Sequence, residues 1–498
     1  MHQYVIGLDI GTGSTKAVAL NPERKVIASS RSYYNTIMQK AGFSEQDPEI
    51  IWMAFVNCLK EVLENVNQMP SCISFSSCMH SLMAVDKENS AITPLITWED
   101  TRSEKIAEAL RQSGEGEKIY SSTGTPIHSM TPLCKIKWLQ ENENEIFKKA
   151  FKYISIKEFI WFRLFNKYEI DYSIASATGL FNINNFEWNK TSLQFCGIDE
   201  SQLSEPVNTN FKRKNINREI ASALHIDANT EFCIGASDGC LANLGSDALK
   251  PGTAALTIGT SGAIRIAGTE PVLNYSSMIF NYLLDDTTFI IGGPINNGGN
   301  VLKWMFKTFL LNSNPSEEDY TNIFSAIEKI PAGCNGLIFL PYIYGERAPI
   351  WDEKASGIFF GIRSFHQNAH FFRAALEGIC FALNNILEII EGLSATIQKL
   401  NASGGFVHSK VWMQILSDVT GKELCIVQTE DASSVGAAIL GLKSVGIIED
   451  YAQLKPGIDL SIQPNLENQK TYVRFYLVYK LLYQNLRESM HLLHQISR

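Results

Sequence analysis

The chain has 498 residues, enough for two or three domains that each bury a hydrophobic core. Hydrophobic residues make up 45% and charged residues 19%, which excludes an intrinsically disordered chain. The formal net charge of −9 argues against nucleic-acid binding, which needs a basic face, and no apolar run is long enough to span a membrane.

Cysteine usage indicates the redox compartment. The chain has 10 cysteines and no Cys-x-x-Cys pair, so redox and zinc motifs lack support. Unpatterned cysteines in a long chain are typical of buried thiols in a reducing compartment. The first residues lack the cationic and apolar regions of a leader peptide. We therefore expect a cytoplasmic protein without a membrane partner.

The first distinctive element is a glycine-rich turn. Asp9 precedes Gly11-Thr12-Gly13-Ser14, and apolar stretches flank the turn on both sides. This pattern predicts a strand, a tight turn that exposes backbone N–H groups, and a second strand, which together form an anion cradle. Asp9 is suited to hold Mg²⁺ directly or through water, with turn capping as the alternative. Lys16 lies further along, and the sequence leaves open whether it reaches a phosphate or solvent.

Strand-like and helical stretches then alternate, which favours an α/β fold. Asp47 is expected to cap a helix that begins with Pro48. Residues 182–232 are polar and rich in Asn, which predicts loops and a small subdomain. The other predictions before residue 182 are strands at 25–32 and 72–76 and helices at 135–140 and 156–165.

Two segments of the first half have the residue types of a sugar site. They are Met79-His80 and Trp98-Glu99-Asp100-Thr101-Arg102. A Trp ring can cover the face of a sugar, and His, Asp and Arg can bond hydroxyls or a carboxylate. Each of these residues is also common on protein surfaces.

Asp238 is the candidate general base. It lies in Ser237-Asp238-Gly239, directly after an apolar strand that begins at Phe232. The small residues of this predicted turn would let a hydroxyl approach the carboxylate, which could then accept its proton. An ordinary Ser-Asp-Gly turn is the alternative interpretation.

The turn motif recurs in the second half as Gly259-Thr260-Ser261, with Thr257 where the first copy has Asp9. Two turns predict a duplicated fold that holds one polyphosphate, with a metal on one side only; ordinary glycine hairpins are the alternative. Pro251-Gly252 precedes the second copy, and we place the domain boundary there, giving domains 1–248 and 249–498.

The remaining predictions concern the nucleotide side and the C-terminal helices. Gly404-Gly405 stands ahead of a helix, where a glycine pair can approach a nucleotide base or ribose; a plain loop is the alternative. Gly421 is expected to end that helix. The other elements are a strand at 288–291 and helices at 300–309, 371–393, 409–420 and 474–493.

Taken in order, these motifs resemble the FGGY carbohydrate kinases of the actin-like ATPase superfamily. The resemblance spans nearly the whole chain and also includes Gly345-Glu346-Arg347-Ala348-Pro349 and Ser434-Val435-Gly436-Ala437-Ala438. It implies an α/β protein with two actin-like, ribonuclease-H-like domains and a nucleotide cleft between them.

The resemblance also implies roles for individual residues. Asp238 would be the catalytic base, Gly11–Ser14 and Gly259–Ser261 would hold the phosphates of ATP, and Gly404-Gly405 would contact its adenosine. The implied cofactors are ATP and Mg²⁺. The acceptor would bind beside Met79, His80, Asp100 and Arg102.

Within the family, phrases such as Cys78-Met79-His80-Ser81 and Ser403-Gly404-Gly405-Phe406 resemble the branch that phosphorylates D-gluconate to 6-phosphogluconate. A sugar acid needs a cation, and the candidates are Arg102, Lys157 and Arg347. Xylulose or another pentulose is the alternative acceptor, and a non-catalytic sugar sensor is the alternative outside enzymes. The oligomeric state stays open, with a homodimer as one arrangement.

Overall fold

The structure is a computed structural model that describes residues 3–394, 396–427 and 431–497. The chain divides into two compact units. The first contains Met1–Asp247, Ala267–Ile291 and Thr429–Pro456. The second contains Ala248–Ile266, Gly292–Gln428 and Gly457–Arg498.

Strands and helices alternate up to residue 247. The strands are β1 (Val5–Ile10), β2 (Ser14–Leu20), β3 (Val26–Tyr33), β4 (Glu45–Gln46), β5 (Cys72–Ser77), β6 (Met83–Val85), β7 (Leu95–Ile96), β8 (Lys152–Ile154), β9 (Glu169–Asp171), β10 (Phe181–Asn182), β11 (Glu187–Trp188), β12 (Glu205–Val207), β13 (Lys212–Arg213) and β14 (Phe232–Ser237). The helices are α1 (Pro48–Val66), α2 (Glu104–Gln112), α3 (Gly114–Thr123), α4 (Pro132–Asn142), α5 (Asn144–Lys149), α6 (Ile156–Phe165), α7 (Tyr172–Ser176), α8 (Lys190–Cys196), α9 (Arg218–Leu224) and α10 (Asp238–Gly245).

The same alternation continues after residue 247. The strands are β15 (Thr253–Ile258), β16 (Gly262–Gly268), β17 (Phe280–Leu283), β18 (Phe289–Ile295), β19 (Ile338–Leu340), β20 (Ile358–Phe360), β21 (Lys399–Ser403), β22 (Glu423–Val427) and β23 (Ile458–Ile462). The helices are α11 (Gly299–Phe309), α12 (Glu317–Glu328), α13 (Asn368–Leu393), α14 (Lys410–Thr420), α15 (Ala432–Ser444) and α16 (Leu466–Ile496).

The first unit is built on a sheet with the strand order β13-β14-β5-β1-β2-β3. β1 and β2 form an antiparallel hairpin that β3 extends, whereas β5 pairs parallel to both β1 and β14. The residues of β1, β5 and β14 are all buried, as expected for strands covered on both faces. The helix α1 packs on the face that bears Ile6 and Leu8, and α15 packs on the opposite face.

Aromatic rings fill the core between this sheet and its helices. Phe75 on β5 stacks on Phe55 of α1, with ring centroids 5.8 Å apart. The same ring contacts Trp161 of α6 and Phe232 of β14. These four side chains are almost completely buried, so they tie one face of the sheet to two helices.

A glycine in β1 sets how closely α15 approaches the sheet. A Cβ atom at Gly7 would lie only 2.0 Å from the backbone oxygen of Ser434 and 2.7 Å from the backbone nitrogen of Ala438. Only a glycine leaves room for this backbone contact. The Ser434–Ala438 motif is therefore the packing face of α15 against β1.

A seven-stranded sheet with the strand order β17-β18-β16-β15-β21-β22-β23 repeats the arrangement. β15 and β16 form the antiparallel hairpin, and β15, β21 and β22 run parallel. Both sheets therefore have a hairpin followed by two parallel strands on the side of its first strand. This confirms the duplicated α/β fold that the paired turns predict.

Capping residues explain where several helices begin and end. Asp47 accepts a hydrogen bond from the Glu49 N–H at the start of α1, and Gly421 adopts the left-handed conformation that ends α14. The helix predicted at 156–165 has those bounds, and the last helix begins earlier than predicted, at Leu466, because Asn465 caps it. No helix among the described residues has the length and apolarity to cross a membrane.

Candidate functional site

The carboxyl ends of three parallel strands meet at one edge of the first unit's sheet. In the register of β1, β5 and β14, Ile10 lies opposite Ser77, and Ser77 lies opposite Ser237. The segments that follow these strands therefore start side by side, at the edge where open α/β sheets bind ligands. Asp9, Met79-His80 and Asp238, which are distant in sequence, are brought to this edge.

Asp9 is nearly buried at the end of β1. Its Oδ1 accepts a hydrogen bond of 2.7 Å from the Ser76 hydroxyl, and burial raises the pKa of its carboxyl group. Burial and the negative charges of Asp238 and Asp9 raise the pKa of the Cys78 thiol to about 12. Cys78 therefore lies close to both carboxylates. The two carboxylates thus flank the same point of the edge.

The first glycine turn joins β1 to β2 and is held by neighbouring side chains. The Gly11 N–H donates to the Ser14 carbonyl, and the Trp98 indole N–H donates to the Thr12 hydroxyl at 3.0 Å. Within the described part of the chain, the amides of Thr12 and Gly13 donate no hydrogen bond to the protein. A pair of unused amides in a glycine turn is a concave donor site for an anion.

Lys16 lies opposite Asp9 in the β1–β2 pair, but its ammonium group has a carboxylate partner. Its Nζ is 2.6 Å from Asp431 Oδ1, and Arg31 bonds both oxygens of the same carboxylate. The structure thus gives Lys16 a carboxylate partner, and its contact with a phosphate stays a prediction. Asp431 is the partner that sequence reasoning missed.

His80 adopts a backbone conformation that is uncommon for a residue with a side chain. Its φ is 64°, and its ring has a polar partner on each side, with Nδ1 2.7 Å from the Ala177 carbonyl and Nε2 3.3 Å from the Tyr282 hydroxyl. Met79 beside it is half-buried. The Met79-His80 segment is thus held in one orientation at the sheet edge.

Asp100 and Arg102, both predicted to contact the acceptor, form a buried ion pair with each other. Arg102 donates to Asp100 from Nε at 2.8 Å and from Nη2 at 2.7 Å, and it also pairs with Glu45. The Phe43 ring lies 3.9 Å beneath the guanidinium group. Two carboxylates thus balance the charge of Arg102.

Asp238 is the first residue of α10, so the structure replaces the predicted small-residue turn with a helix start. Ser237 caps this helix by accepting the Cys240 N–H, and Ser173 bonds both the N–H and the hydroxyl of Ser237. The half-buried Asp238 carboxylate accepts the Gly239 N–H at 2.7 Å. A helix N-terminus stabilises negative charge, which suits a carboxylate that must be ionised to accept a proton.

Lys157 supports the strand that carries Asp238. Its ammonium group is 1% exposed, pairs with Asp171 at 2.7 Å and donates to the Ala236 carbonyl at 2.9 Å. Burial raises the pKa of Asp171, while Lys157 opposes that shift. Asp171 also accepts the Ile174 N–H at the start of α7, so one pair ties α6, α7 and β14 together.

The second unit has the second glycine turn between β15 and β16. The Gly259 N–H donates to the Ser261 carbonyl, whereas the amides of Thr260 and Ser261 donate no hydrogen bond to the described residues. Two unused amides thus recur in the same place in both turns. Thr257, at the position that Asp9 occupies in β1, bonds the Ser403 hydroxyl at 3.0 Å.

A cavity of about 590 Å³ opens beside this second turn. Gly405 begins a short 3-10 turn at its wall, directly after Gly404, which follows β21. The cavity is large enough for a nucleoside and has the aromatic walls on which a base can stack. Its further lining includes Lys303, Glu317, Tyr320, Phe324, Phe406, His408 and Trp412.

Arg347, the third predicted cation, is buried in the second unit. Its Nε donates to Asn296 Oδ1 at 2.7 Å and its Nη2 to the Ile295 carbonyl at 3.2 Å. The adjacent Glu346 accepts the N–H groups of Asn296 and Arg347, and burial raises its pKa to about 7. The segment around Arg347 is thus fixed to the end of β18.

Sequence reasoning missed Lys135, Glu45, Asp171, Asp431 and Tyr282. Most of these residues act as partners of predicted ones, and no local pattern marks them. Lys135 is the exception, because it interrupts the apolar run Leu133-Cys134-Ile136 at a position where the helical pattern requires a buried side chain.

The two sheets, each with a glycine turn after its first strand, define the actin-like ATPase fold. The model of the FGGY family of carbohydrate kinases, N-terminal domain, matches residues 4–245, and that of the C-terminal domain matches residues 254–445. The chain therefore belongs to the FGGY family of carbohydrate kinases, which implies the use of ATP.

Individual relatives give a finer comparison. A gluconokinase of Bacillus subtilis (strain 168) is 40% identical over 91% of this chain and 89% of its own length. The crystal structure of a gluconate kinase from Lactobacillus acidophilus has a TM-score of 0.92 at 32% identity and covers 98% of both chains. A ligand-bound xylulose kinase from the same organism has a TM-score of 0.93 at 32% identity, with 98% of this chain and 99% of its own covered.

Proposed function

We propose that this protein is a gluconokinase, which transfers the γ-phosphate of ATP to the terminal hydroxyl of D-gluconate and yields 6-phosphogluconate. The observation that carries the proposal is the placement of Asp238, Asp9 and Met79-His80 at one sheet edge, in a chain 40% identical to a gluconokinase. Such an edge offers a base, an oxygen ligand for a cation and a polar wall for an acceptor.

Asp238 is proposed as the base for the acceptor hydroxyl. As the hydroxyl oxygen forms its bond to the γ-phosphorus, its proton passes to the Asp238 carboxylate, and the bond to the ADP oxygen breaks. The start of α10 and the Ser173–Ser237 contacts fix the base, so its position does not depend on a flexible loop. This positioning contributes to the rate because the reacting groups need little further ordering.

The nucleotide is assigned to the aromatic cavity of the second unit, with phosphate oxygens on the glycine turn beside that cavity. The amides of Thr260 and Ser261, and likewise those of Thr12 and Gly13, are donors that phosphate oxygens can use. Gly405 at the cavity wall is assigned to the adenosine.

Asp9 is proposed as the protein ligand for Mg²⁺. The described residues contain no group of three or more acidic, His or Cys side chains able to hold a metal. A single carboxylate fits Mg²⁺, which usually keeps several waters and binds through one or two carboxylates and the phosphates of a nucleotide. When bound, the ion neutralises the charge of the β- and γ-phosphates.

Three cations are candidates for the carboxylate of a sugar acid. Arg102 and Lys157 are each balanced by carboxylates within the first unit, and Arg347 in the second unit donates to Asn296 Oδ1 and the Ile295 carbonyl beside the buried Glu346. A balanced cation attracts a further anion less strongly. We therefore propose Arg102 and Lys157 chiefly as supports of the acceptor segments and of Asp238.

Xylulose is the second candidate acceptor, because the xylulose kinase structure matches this chain as well as the gluconate kinase structure does. The deciding experiment measures ADP release with gluconate, xylulose, ribulose or glycerol, with ATP and no acceptor as the control. We expect gluconate to give the highest kcat/KM. A higher value for xylulose would overturn gluconate, and no acceptor-dependent release with any of the four would favour a sugar sensor.

A further inference from the structure

Lys135 on α4 has a side chain with no exposed surface. Burial of an ammonium group is costly, and it lowers the pKa of Lys135 to about 7. The charged and titratable groups that face the amine are Asp100, Arg102, Cys78 and Cys134. A buried lysine of this kind requires a physical reason, because lysine is one of the residues least often found in a core.

The hydrogen bonds of Lys135 supply that reason. Its Nζ donates to the carbonyl oxygen of His80 at 2.6 Å and to the carbonyl oxygen of Thr97 at 2.7 Å. Neither acceptor is a carboxylate, in contrast to Lys157 in the same unit, which forms a close ion pair with Asp171. Lys135 thus donates to the backbone of two segments that are also joined by the antiparallel bridge between Leu82 and Ile96, and it extends that connection to His80 and Thr97.

One carbonyl lies in, and the other next to, the two segments that are predicted to contact the acceptor. One is the carbonyl of His80 itself, whose left-handed backbone is sparsely populated for a residue with a side chain. The other precedes the segment of Asp100 and Arg102 by three residues. An unusual backbone conformation persists only when its surroundings fix it, and the Lys135 amine is one of the groups that do so here.

We propose that Lys135 is a positioning residue that holds the His80 and Thr97 segments in register and thereby sets the affinity for the acceptor sugar. The proposal rests on the assignment of Met79, His80, Asp100 and Arg102 to the acceptor. It makes no claim about ATP, because the hydrogen bonds of Lys135 to the described residues go to the His80 and Thr97 carbonyls and to no residue of the first glycine turn.

The test compares Lys135→Met with Lys137→Met. Methionine keeps the length of the stem and removes the donors. Lys137 lies on the same helix, is half-buried and, within the part of the chain that the structure describes, bonds Gln140 and Glu141, so it is a matched control. We expect Lys135→Met to raise the acceptor KM at least about 10-fold, with the KM for ATP within about twofold, and Lys137→Met to leave both constants unchanged.

The acceptor in this test is whichever sugar the wild-type protein phosphorylates best, so a failure of gluconate as substrate is seen before any variant is measured. A Lys135→Met protein with an unchanged acceptor KM would overturn the proposal. So would an equal rise in both KM values, which indicates general damage to the fold.

A second variant covers the case in which Lys135→Met does not fold. Lys135→Gln retains two N–H donors without the charge. We therefore expect the acceptor KM of Lys135→Gln to lie between the wild-type value and the rise of about 10-fold expected for Lys135→Met, again with the KM for ATP unchanged. Wild-type acceptor KM in a folded Lys135→Gln protein whose thermal midpoint is lowered would assign the lysine to stability alone and overturn the proposal.

Discussion

Asp238 combines three properties that a proton acceptor needs. It is half-buried, it is fixed at a helix N-terminus, and it lies beside the ends of β5 and β1 where Asp9 and His80 also stand. The N–H groups at the start of α10 favour the ionised form of this carboxylate, which is the form that accepts a proton.

Replacement of Asp238 by Asn should remove the base and keep the helix start. Asn retains an oxygen for the Gly239 N–H but accepts protons poorly, so we expect kcat to fall by on the order of 10²–10⁴-fold. The stabilisation of the protein by ATP, measured as the shift in thermal midpoint, should persist. Asp227→Asn is the matched control, because Asp227 is an exposed residue that caps a turn. Near-normal turnover in Asp238→Asn would show that another group accepts the proton.

Sequence patterns identify residues of this kind when the signal is local. Asp9 and Asp238 each follow an apolar strand and adjoin small residues, so both are visible in a short window. Their supports are not visible in this way, because Asp431 is 415 residues from Lys16 and Lys135 is 55 residues from His80. Arg102 and Lys157 prove to be paired in the structure with carboxylates only 2 and 14 residues away, and spacing alone does not reveal which side chains meet.

At the scale of elements, the two glycines after β21 have different roles, one in strand packing and one at the cavity wall. Gly404 has a φ of 99°, and a Cβ atom there would lie 2.3 Å from the Ile258 carbonyl oxygen. Gly405 has open space around its own Cβ position and lines the cavity. One glycine thus fixes the contact between β15 and β21, and the other borders the space assigned to the nucleotide.

Gly404→Ala should therefore be the more damaging of two otherwise identical changes. Gly404 has φ 99° and ψ 175°, a region almost reserved for glycine, where a residue with a Cβ costs about 1–3 kcal/mol, and the clash with Ile258 adds to that. We expect Gly404→Ala to lower the thermal midpoint of the protein by several degrees and to raise the KM for ATP. Gly405→Ala should leave the midpoint within about 1 °C. Equal midpoints in the two variants would contradict this account of the β15–β21 contact.

The elements that the sequence predicts best begin or end at turn or capping residues. Both glycine turns, the Asp47 cap of α1 and the Gly421 end of α14 are examples. The helix α12, which gives Glu317, Tyr320 and Phe324 to the cavity, was not predicted because only Ile323 and Ile327 mark its buried face. A cavity wall made by such a helix appears only when tertiary packing is known.

At the scale of the whole molecule, the repeated turn predicts the duplicated strand order, but it does not predict which chain segments belong to each unit. Ala267–Ile291 and Thr429–Pro456 belong with the first unit although they lie far along the chain. The assignment of a segment to a unit depends on long-range packing, such as that of α15 on β1, and the amino-acid composition does not indicate it. The division at 248/249 stays a prediction.

Each unit also contains a glutamate whose protonation is linked to folding. Burial raises the pKa of Glu158 in the first unit to about 7 and that of Glu346 in the second unit to about 7, from 4.5 for both. The folded protein therefore binds these protons more tightly than the unfolded chain. Their contribution to stability is complete below pH 4.5 and is lost as the pH rises through about 7, by about 3 kcal/mol for each group.

We accordingly expect the thermal midpoint, measured without ligands, to be higher at pH 5.5 than at pH of about 7.5. The buried carboxyls of Asp9, Asp171 and Glu377 shift in the same direction and reinforce this slope. Glu158→Gln and Glu346→Gln imitate the protonated forms, so each should reduce the change in thermal midpoint between these pH values. Glu145→Gln, a change at an exposed residue of α5, should leave that change as it is in the wild type. A wild-type midpoint that rises between these two pH values, or Gln variants that keep the full slope, would mean that these glutamates are ionised in the folded protein at mildly acidic pH and that their hydrogen bonds, rather than a proton, offset the cost of burial.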